Sequence, residues 1–247
     1  MISATIYQAV SALKHLLLLL LLLPLGVAAL PKARNIETSR TLYREANTPA
    51  ARQHLREALR QQPSAFLNQG QFEVGYLHLL SGRRVLVSGL RYHLGQRVVE
   101  VQDSLQADST SFWPLAALRG FDLGTVDDPA TLRRYRTRLV HDGRQPDHQE
   151  AVQVLTATDA GLLLLAYLPL LEPATDTIAH VLVVGEGREA SHSLRSLDAT
   201  DTSVLRLLGA RADKVHAYAR IQNLHFCAPV EVAQMLNYYN QLAVAVR

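Results

Sequence analysis

The sequence predicts an α+β protein: an antiparallel β meander or partly open barrel, with a short N-terminal helix and a C-terminal helix pair. Three observations carry this expectation. Between residues 71 and 185, short runs of alternating apolar and polar residues are separated by turns rich in Gly and Asp. Between 200 and 243 the apolar spacing changes to the helical period. Between 31 and 62 the chain is polar and helix-forming, and Pro63 ends it. Strands and helices that come in blocks, rather than in alternation, make an α+β arrangement.

Residues 1–29 read as a signal peptide. Lys14 and His15 precede eight consecutive leucines, Leu16 to Leu23, and then Pro24, Leu25, Gly26, Val27, Ala28 and Ala29. A basic patch, an apolar stretch and a small-residue exit are what the export machinery reads. Val27 and Ala29 suit cleavage before Leu30, and Gly26 and Ala28 suit a cut one residue earlier. The alternative is an uncleaved anchor, but the run from Leu16 to Leu30 falls short of the roughly 20 residues a spanning helix needs. No later segment reaches that length without a charge or a proline, so the mature chain is expected to lack a transmembrane segment. Residues 30–247 are expected to form a single α+β domain, in a periplasmic or secreted location.

Along that domain, Asn47-Thr48-Pro49 is a helix start, with Leu55, Ala58 and Leu59 on one face and Arg52, Arg56 and Arg60 on another. Phe72 to Leu80 alternates as a strand, Ser81-Gly82-Arg83 turns, and Val85 to Leu94 returns. Gly95-Gln96 turns again before Val98 to Val101, and Phe112 to Leu123 supplies a further strand past Pro114. Thr131 to Val140, Val152 to Thr156, the apolar block Leu162 to Tyr167 and Ile178 to Val184 complete the sheet. Asp201 or Thr202 caps a helix with Val204, Leu208, Ala212, Val215 and Ala219 as its stripe. Ala228-Pro229 opens the second, with Val232, Leu236 and Tyr239 inward.

Composition excludes several classes. One cysteine cannot supply a Cys-based zinc or iron–sulfur site, and Cys227, in the apolar stretch Leu224 to Ala228, is expected to be buried and inert. Lys+Arg 25 against Asp+Glu 22 is too small a bias to imply nucleic acid. No HExxH, G-x-S-x-G, S-x-x-K or Walker motif occurs, so no catalytic residue, cofactor or metal is expected. The densest polar cluster, His141-Asp142 with His148 and Glu150, lies around Gly143 and Pro146 and reads first as an exposed hairpin loop.

The basic run of Arg133, Arg134, Arg136 and Arg138 carries more signal. On a strand Arg134, Arg136 and Arg138 share one face. Such a row is ordinarily a solvated outer face or a charge-protected edge. As a binding surface it suits anionic lipid, lipopolysaccharide or an acidic protein, and removing its charges would then leave thermal stability nearly unchanged. The concave side of the Phe72–Val101 sheet is a second candidate surface.

Gly75-Tyr76 before the Gly82 turn, Leu90-Arg91-Tyr92 facing Val99-Glu100-Val101, and Gly120-Phe121-Asp122-Leu123 form one set of structural motifs. Val215-x-x-Tyr218 and Val232 through Tyr238-Tyr239-Asn240 form another. Over residues 70–242 this layout resembles a family of uncharacterised exported proteins of Gram-negative bacteria. The resemblance implies export, an antiparallel sheet and two terminal helices, and it supplies no catalytic residue. The expected function is a non-catalytic binding or accessory module of the cell envelope, its partner an envelope protein or an anionic envelope ligand. The alternative is an envelope hydrolase whose site is assembled from distant positions such as His141, Asp142 and Asp122.

Overall fold

Among the described residues ten strands hydrogen-bond into one sheet that closes on itself at one end. The computed structural model describes residues 31–102, 109–125, 127–128, 131–141, 147–172, 174–187 and 193–244; the signal-peptide segment lies outside these. The strands are β1 (Glu73–Leu79), β2 (Arg84–His93), β3 (Val98–Gln102), β4 (Thr110–Pro114) and β5 (Leu118–Leu123), followed by β6 (Arg133–His141), β7 (His148–Val154), β8 (Leu164–Glu172), β9 (Thr177–Gly185) and β10 (Leu194–Ser196). Their order is β10-β9-β8-β7-β6-β5-β1-β2-β3-β4, and β10 also pairs with β6. Strands β6 to β10 therefore form a closed five-stranded barrel, and β5, β1, β2, β3 and β4 extend from its wall. The pairing is antiparallel throughout except for the closing β6–β10 contact, which is parallel. The predicted α+β class and partly open barrel are thus what the chain adopts.

Side-chain alternation sorts the core into layers. Val140, Val152, Val154, Leu164, Ala166, Leu168, Val183 and Leu194 fill the barrel interior. The opposite faces of β8 and β9, with Leu165, Leu182 and Val184, pack on the C-terminal helices. On the extension Leu77, Leu90, Tyr92, Val99 and Phe121 form a separate cluster. The predicted strand past Pro114 is split: a short 3-10 turn at Leu115–Ala117 separates β4 from β5. Short β10 has no legible alternation of its own, and only its partners define it as a strand.

Helices α1 (Pro31–Ala46) and α2 (Pro49–Gln61) precede the sheet. Thr48 caps α2 by accepting from the Ala51 N–H, ahead of Pro49 in the first turn, as its sequence demands. At the other end the expected helix pair is three helices: α3 (Asp201–Leu208), α4 (Ala212–Ile221) and α5 (Pro229–Val244). The apolar stripe from Val204 to Ala219 runs through both α3 and α4, which is why it reads as one helix. Gly209 breaks it, at φ 53°, ψ −130°, a conformation open essentially to glycine. The cap of α3 is Thr200, one residue before the expected position, accepting from the Ser203 N–H.

One further expectation is corrected here. Cys227 is exposed, not buried. In the turn before α5, Phe226 takes the buried position against the helical core and turns its neighbour outward. Tyr238-Tyr239-Asn240 closes the core: Tyr238 stacks on Tyr218 with ring centroids 4.2 Å apart, and both tyrosines pack on the helix cluster. Asn240, buried, accepts from the Leu163 N–H at 2.9 Å and donates to the Leu163 carbonyl at 2.8 Å, tying α5 to the start of β8. Replacing Asn240 by alanine leaves both backbone groups without these partners and is expected to cost about 1–3 kcal/mol in a urea unfolding curve.

Candidate functional site

Cross-strand register assembles a polar cluster that no local motif announces. On one face of the sheet, Arg84 of β2, His78 of β1, Gly120 of β5 and Arg136 of β6 lie in a row. The next row holds Leu86, Tyr76, Asp122 and Arg134. Asp122 sits diagonally to an imidazole and two guanidinium groups: His78 Nε2 is 2.8 Å from Oδ2, Arg84 is 3.4 Å from the same oxygen, and Arg136 donates to Oδ1 at 2.8 Å.

Arg134, Arg136 and Arg138 do share one face, as their spacing requires, and the face is that of Val140, which points into the barrel. The row is not solvated: Arg136 and Arg138 are each only 9% exposed. The connection from β7 to β8 folds over them. Arg134 donates to the carbonyls of Thr156 and Ala157, Arg136 to the Asp159 carboxylate, and Arg138 to the Asp159 carbonyl at 3.1 Å. The expectation that their charges could be removed with little effect on stability is therefore corrected for Arg136, which bridges two carboxylates, and for the buried Arg138.

These contacts shift proton affinities. Burial pushes the Asp122 carboxyl up, but hydrogen bonds from His78 and Arg136 and their positive charge outweigh it, holding Asp122 below the usual carboxylate range. Asp159 behaves alike: burial raises it, and Arg136 more than compensates. Burial lowers Arg134 and Arg138 from the usual guanidinium value. Both remain cationic at neutral pH, since guanidinium deprotonation lies far above it.

Beside this cluster lies a half-open cleft of about 650 Å³, lined by His78, Arg119, Arg136, Arg138 and Asp159 among others. It occurs where the sheet forks. Strand β5 pairs with β6 from Arg133 to Arg136, and β10 pairs with it at Val140 and His141. Between them, among the described residues, no strand accompanies β6 on that side. Among the described residues in and around the cleft, five guanidinium groups, of Arg84, Arg119, Arg134, Arg136 and Arg138, face two carboxylates, of Asp122 and Asp159. Among the described residues Arg138 donates to carbonyl oxygens, and the Asp159 carboxylate acts on it by charge without a direct hydrogen bond. Among the described residues its Nε and the Thr137 Oγ1 are buried without a hydrogen-bond partner.

The other candidates disperse. His141 pairs with exposed Asp147 at 2.8 Å, whereas His148 faces Glu150 at 3.5 Å, and Glu150 is taken by Arg97 at 2.7 Å. Asp142 lies outside the described residues. Among the described residues no group of three or more His, Cys, Asp or Glu is placed to hold a metal ion. Asp122 is joined by His78 and not by His141. The sheet side holding Arg91 carries a second half-open cleft, of about 620 Å³, lined by Arg56, Arg60, Arg91 and Glu100 among others. Arg91 lies between the rings of Phe66 and Phe72, 4.2 and 4.3 Å from their centroids, and pairs with Glu100 at 2.7 Å. Sequence reasoning missed His78 and Arg119 because each is an ordinary strand residue whose neighbours across the sheet decide its role. Among the described residues no helix is long and apolar enough to cross a membrane. No protein-family model matches the chain, and no curated protein or solved structure is significantly similar to it.

Proposed function

We propose that this protein is an exported binding or accessory module of the cell envelope, periplasmic or secreted, whose ligand is anionic. The observation that supports the anionic ligand most is the cationic excess at the cleft, with Arg119 exposed on its rim and Arg138 buried in its wall. Guanidinium groups suit carboxylate and phosphate oxygens because their planar donors match such acceptors in pairs. Export is supported by the leader alone, with its basic start, leucine run and small-residue exit. Protein recovered from the periplasm or medium is expected to begin at Leu30 or Ala29; an intact Met1 in that fraction would overturn cleavage. In-cell crosslinking of the exported protein, followed by mass spectrometry, tests the module itself: one dominant envelope partner or ligand is expected, and recovery of monomer alone counts against it.

A second reading has one observation in its favour. His78 lines the cleft while its Nε2 is held by Asp122, an arrangement that orients an imidazole for general acid–base work. Its test is hydrolysis of a chromogenic phosphate diester by the purified protein, abolished by His78→Asn.

A further inference from the structure

We propose that the cavity between α1 and the turn joining β1 to β2 binds a small aromatic anion, its ring against Trp113 and Tyr43 and its carboxylate or phosphate held by Arg40, Arg44 and Arg83. This site lies apart from the cleft beside β6 and stands or falls independently of the ligand assigned to that cleft.

Three features converge. The first is a fixed frame. Strand β4 ends the strand order, and α1 is tied to it and to the turn that follows it. Asn47, at the C-terminal end of α1, accepts from the Phe112 N–H at 3.0 Å and donates to the Phe112 carbonyl at 2.7 Å. Ser39, buried and about 12 Å back along the helix, donates to the Ala117 carbonyl at 2.8 Å. Arg40, Tyr43 and Arg44 lie between these two ties, so the backbone that carries them is held in place. The facing wall is the turn from Leu79 to Arg83. The Leu79 N–H donates to the Arg83 carbonyl and the Gly82 N–H to the Leu79 carbonyl, each at 2.9 Å. Gly82, at φ +86°, supplies the left-handed residue that a three-residue hairpin turn needs, and this fixes where Arg83 leaves the sheet.

The second is charge. Arg40 and Arg44 stand one helical turn apart, and Arg83 reaches the same cavity from the turn opposite. Among the described residues no carboxylate lines that cavity, and none of the three guanidinium groups is engaged in an ion pair. Three like charges around one concavity concentrate a positive field there, and an anion entering it relieves their repulsion. Guanidinium groups meet carboxylate and phosphate oxygens with paired donors. The third is the wall between the charges. Tyr43 and Trp113, both half-buried, pack with ring centroids 4.3 Å apart and planes tilted by 36°, and both line the cavity. A planar ring fits such an aromatic wall by stacking or edge contact. The cavity volume, about 310 Å³, is at the small end of ligand sites, which suits one ring and its acid group. A bare anion would make no use of the aromatic wall, and a neutral ring none of the three cations.

Trp113 is the only tryptophan of the chain, so its emission reports on this site. The experiment titrates the purified exported protein with phenyl phosphate, phenol and inorganic phosphate, followed in parallel by tryptophan emission and by calorimetry. Phenyl phosphate is expected to change the emission saturably, with the same midpoint as the heat of binding. Phenol and inorganic phosphate are each expected to bind about tenfold more weakly or less, having lost one of the two contacts. Replacing Arg44 and Arg83 together by glutamine, on exposed side chains where folding is not at risk, is expected to weaken phenyl phosphate about tenfold and to leave the urea midpoint unchanged. Phenol binding as tightly as phenyl phosphate would overturn the inference, as would inorganic phosphate doing so or the double variant binding normally. Heat of binding without a change at Trp113 would overturn it while leaving the anionic-ligand reading of the β6 cleft standing. Absence of any phenyl phosphate binding would overturn it as well.

Discussion

Replacing Arg136 by methionine is expected to destabilise the protein by about 3–5 kcal/mol, the cost of stripping one member from a buried ionic cluster. Arg136 is 9% exposed and holds Asp122, whose side chain is 4% exposed, together with the more open Asp159. Removing the cation leaves Asp122 with His78 and a more distant Arg84, and frees the Asp159 end of the loop that covers the barrel mouth. The urea midpoint at neutral pH measures it. Lysine in place of arginine should recover only part of the loss, because one ammonium cannot span two carboxylates as a guanidinium does.

The same cluster gives an acid limit. Asp122 and Asp159 bind protons less readily folded than unfolded. Their pairs therefore contribute fully above the ordinary aspartate value, about 3.9, and that contribution is lost as pH falls through the depressed folded values. Wild-type stability is expected to fall below about pH 4, and its advantage over Arg136→Met to shrink in the same range. An advantage that persists undiminished into strong acid would mean that Arg136 acts through packing and not through charge. The half-open Asp159 should contribute less than Asp122, since solvent screens it.

Gly120→Ala is the second large effect. At φ +150° a side chain is strained, and a Cβ there would overlap the Tyr135 carbonyl oxygen and lie 2.8 Å from the Arg136 Cα. Both obstacles are backbone of a strand held between two neighbours, so neither yields cheaply. Strain and overpacking together should cost at least about 3 kcal/mol, or a fall in Tm of about 6–12 °C for a chain of this size. Gly209→Ala is the control: φ is again positive, at +53°, but nothing lies within 4 Å. Its cost should be the conformational strain alone, about 1–3 kcal/mol. Equal losses at the two positions would show that the close strand approach at Gly120 is relieved by local movement.

Local patterning made most of the secondary structure legible. Thr48-Pro49 and Ala228-Pro229 start helices, the Gly82 and Gly95 turns fall between strands, and the alternation of Leu90, Tyr92 and Val99 marks one core face. What failed did so for identifiable reasons. An apolar stripe carries no mark of a break, so α3 and α4 read as one helix although Gly209 divides them. Cys227 sits among apolar residues, yet in the turn before α5 Phe226 takes the buried place and Cys227 is left exposed.

The candidate site divides in the same way. That Arg134, Arg136 and Arg138 share a face follows from the two-residue period of any strand, and the sequence alone determines it. Which face that is depends on β10 returning to pair with β6 and close the barrel, a contact between residues 140–141 and 194–195. Closure turns the row from a surface into the lining of the barrel mouth and opens the fork beside it. It also brings Asp159 from the next loop, while the β1–β5 pairing brings His78 to Asp122 across 44 positions of chain. Such contacts are set by strand order and register, which depend on how the apolar faces of the whole sheet pack together. Local residue patterns specify a strand and its two faces; only the assembled sheet decides what each face meets.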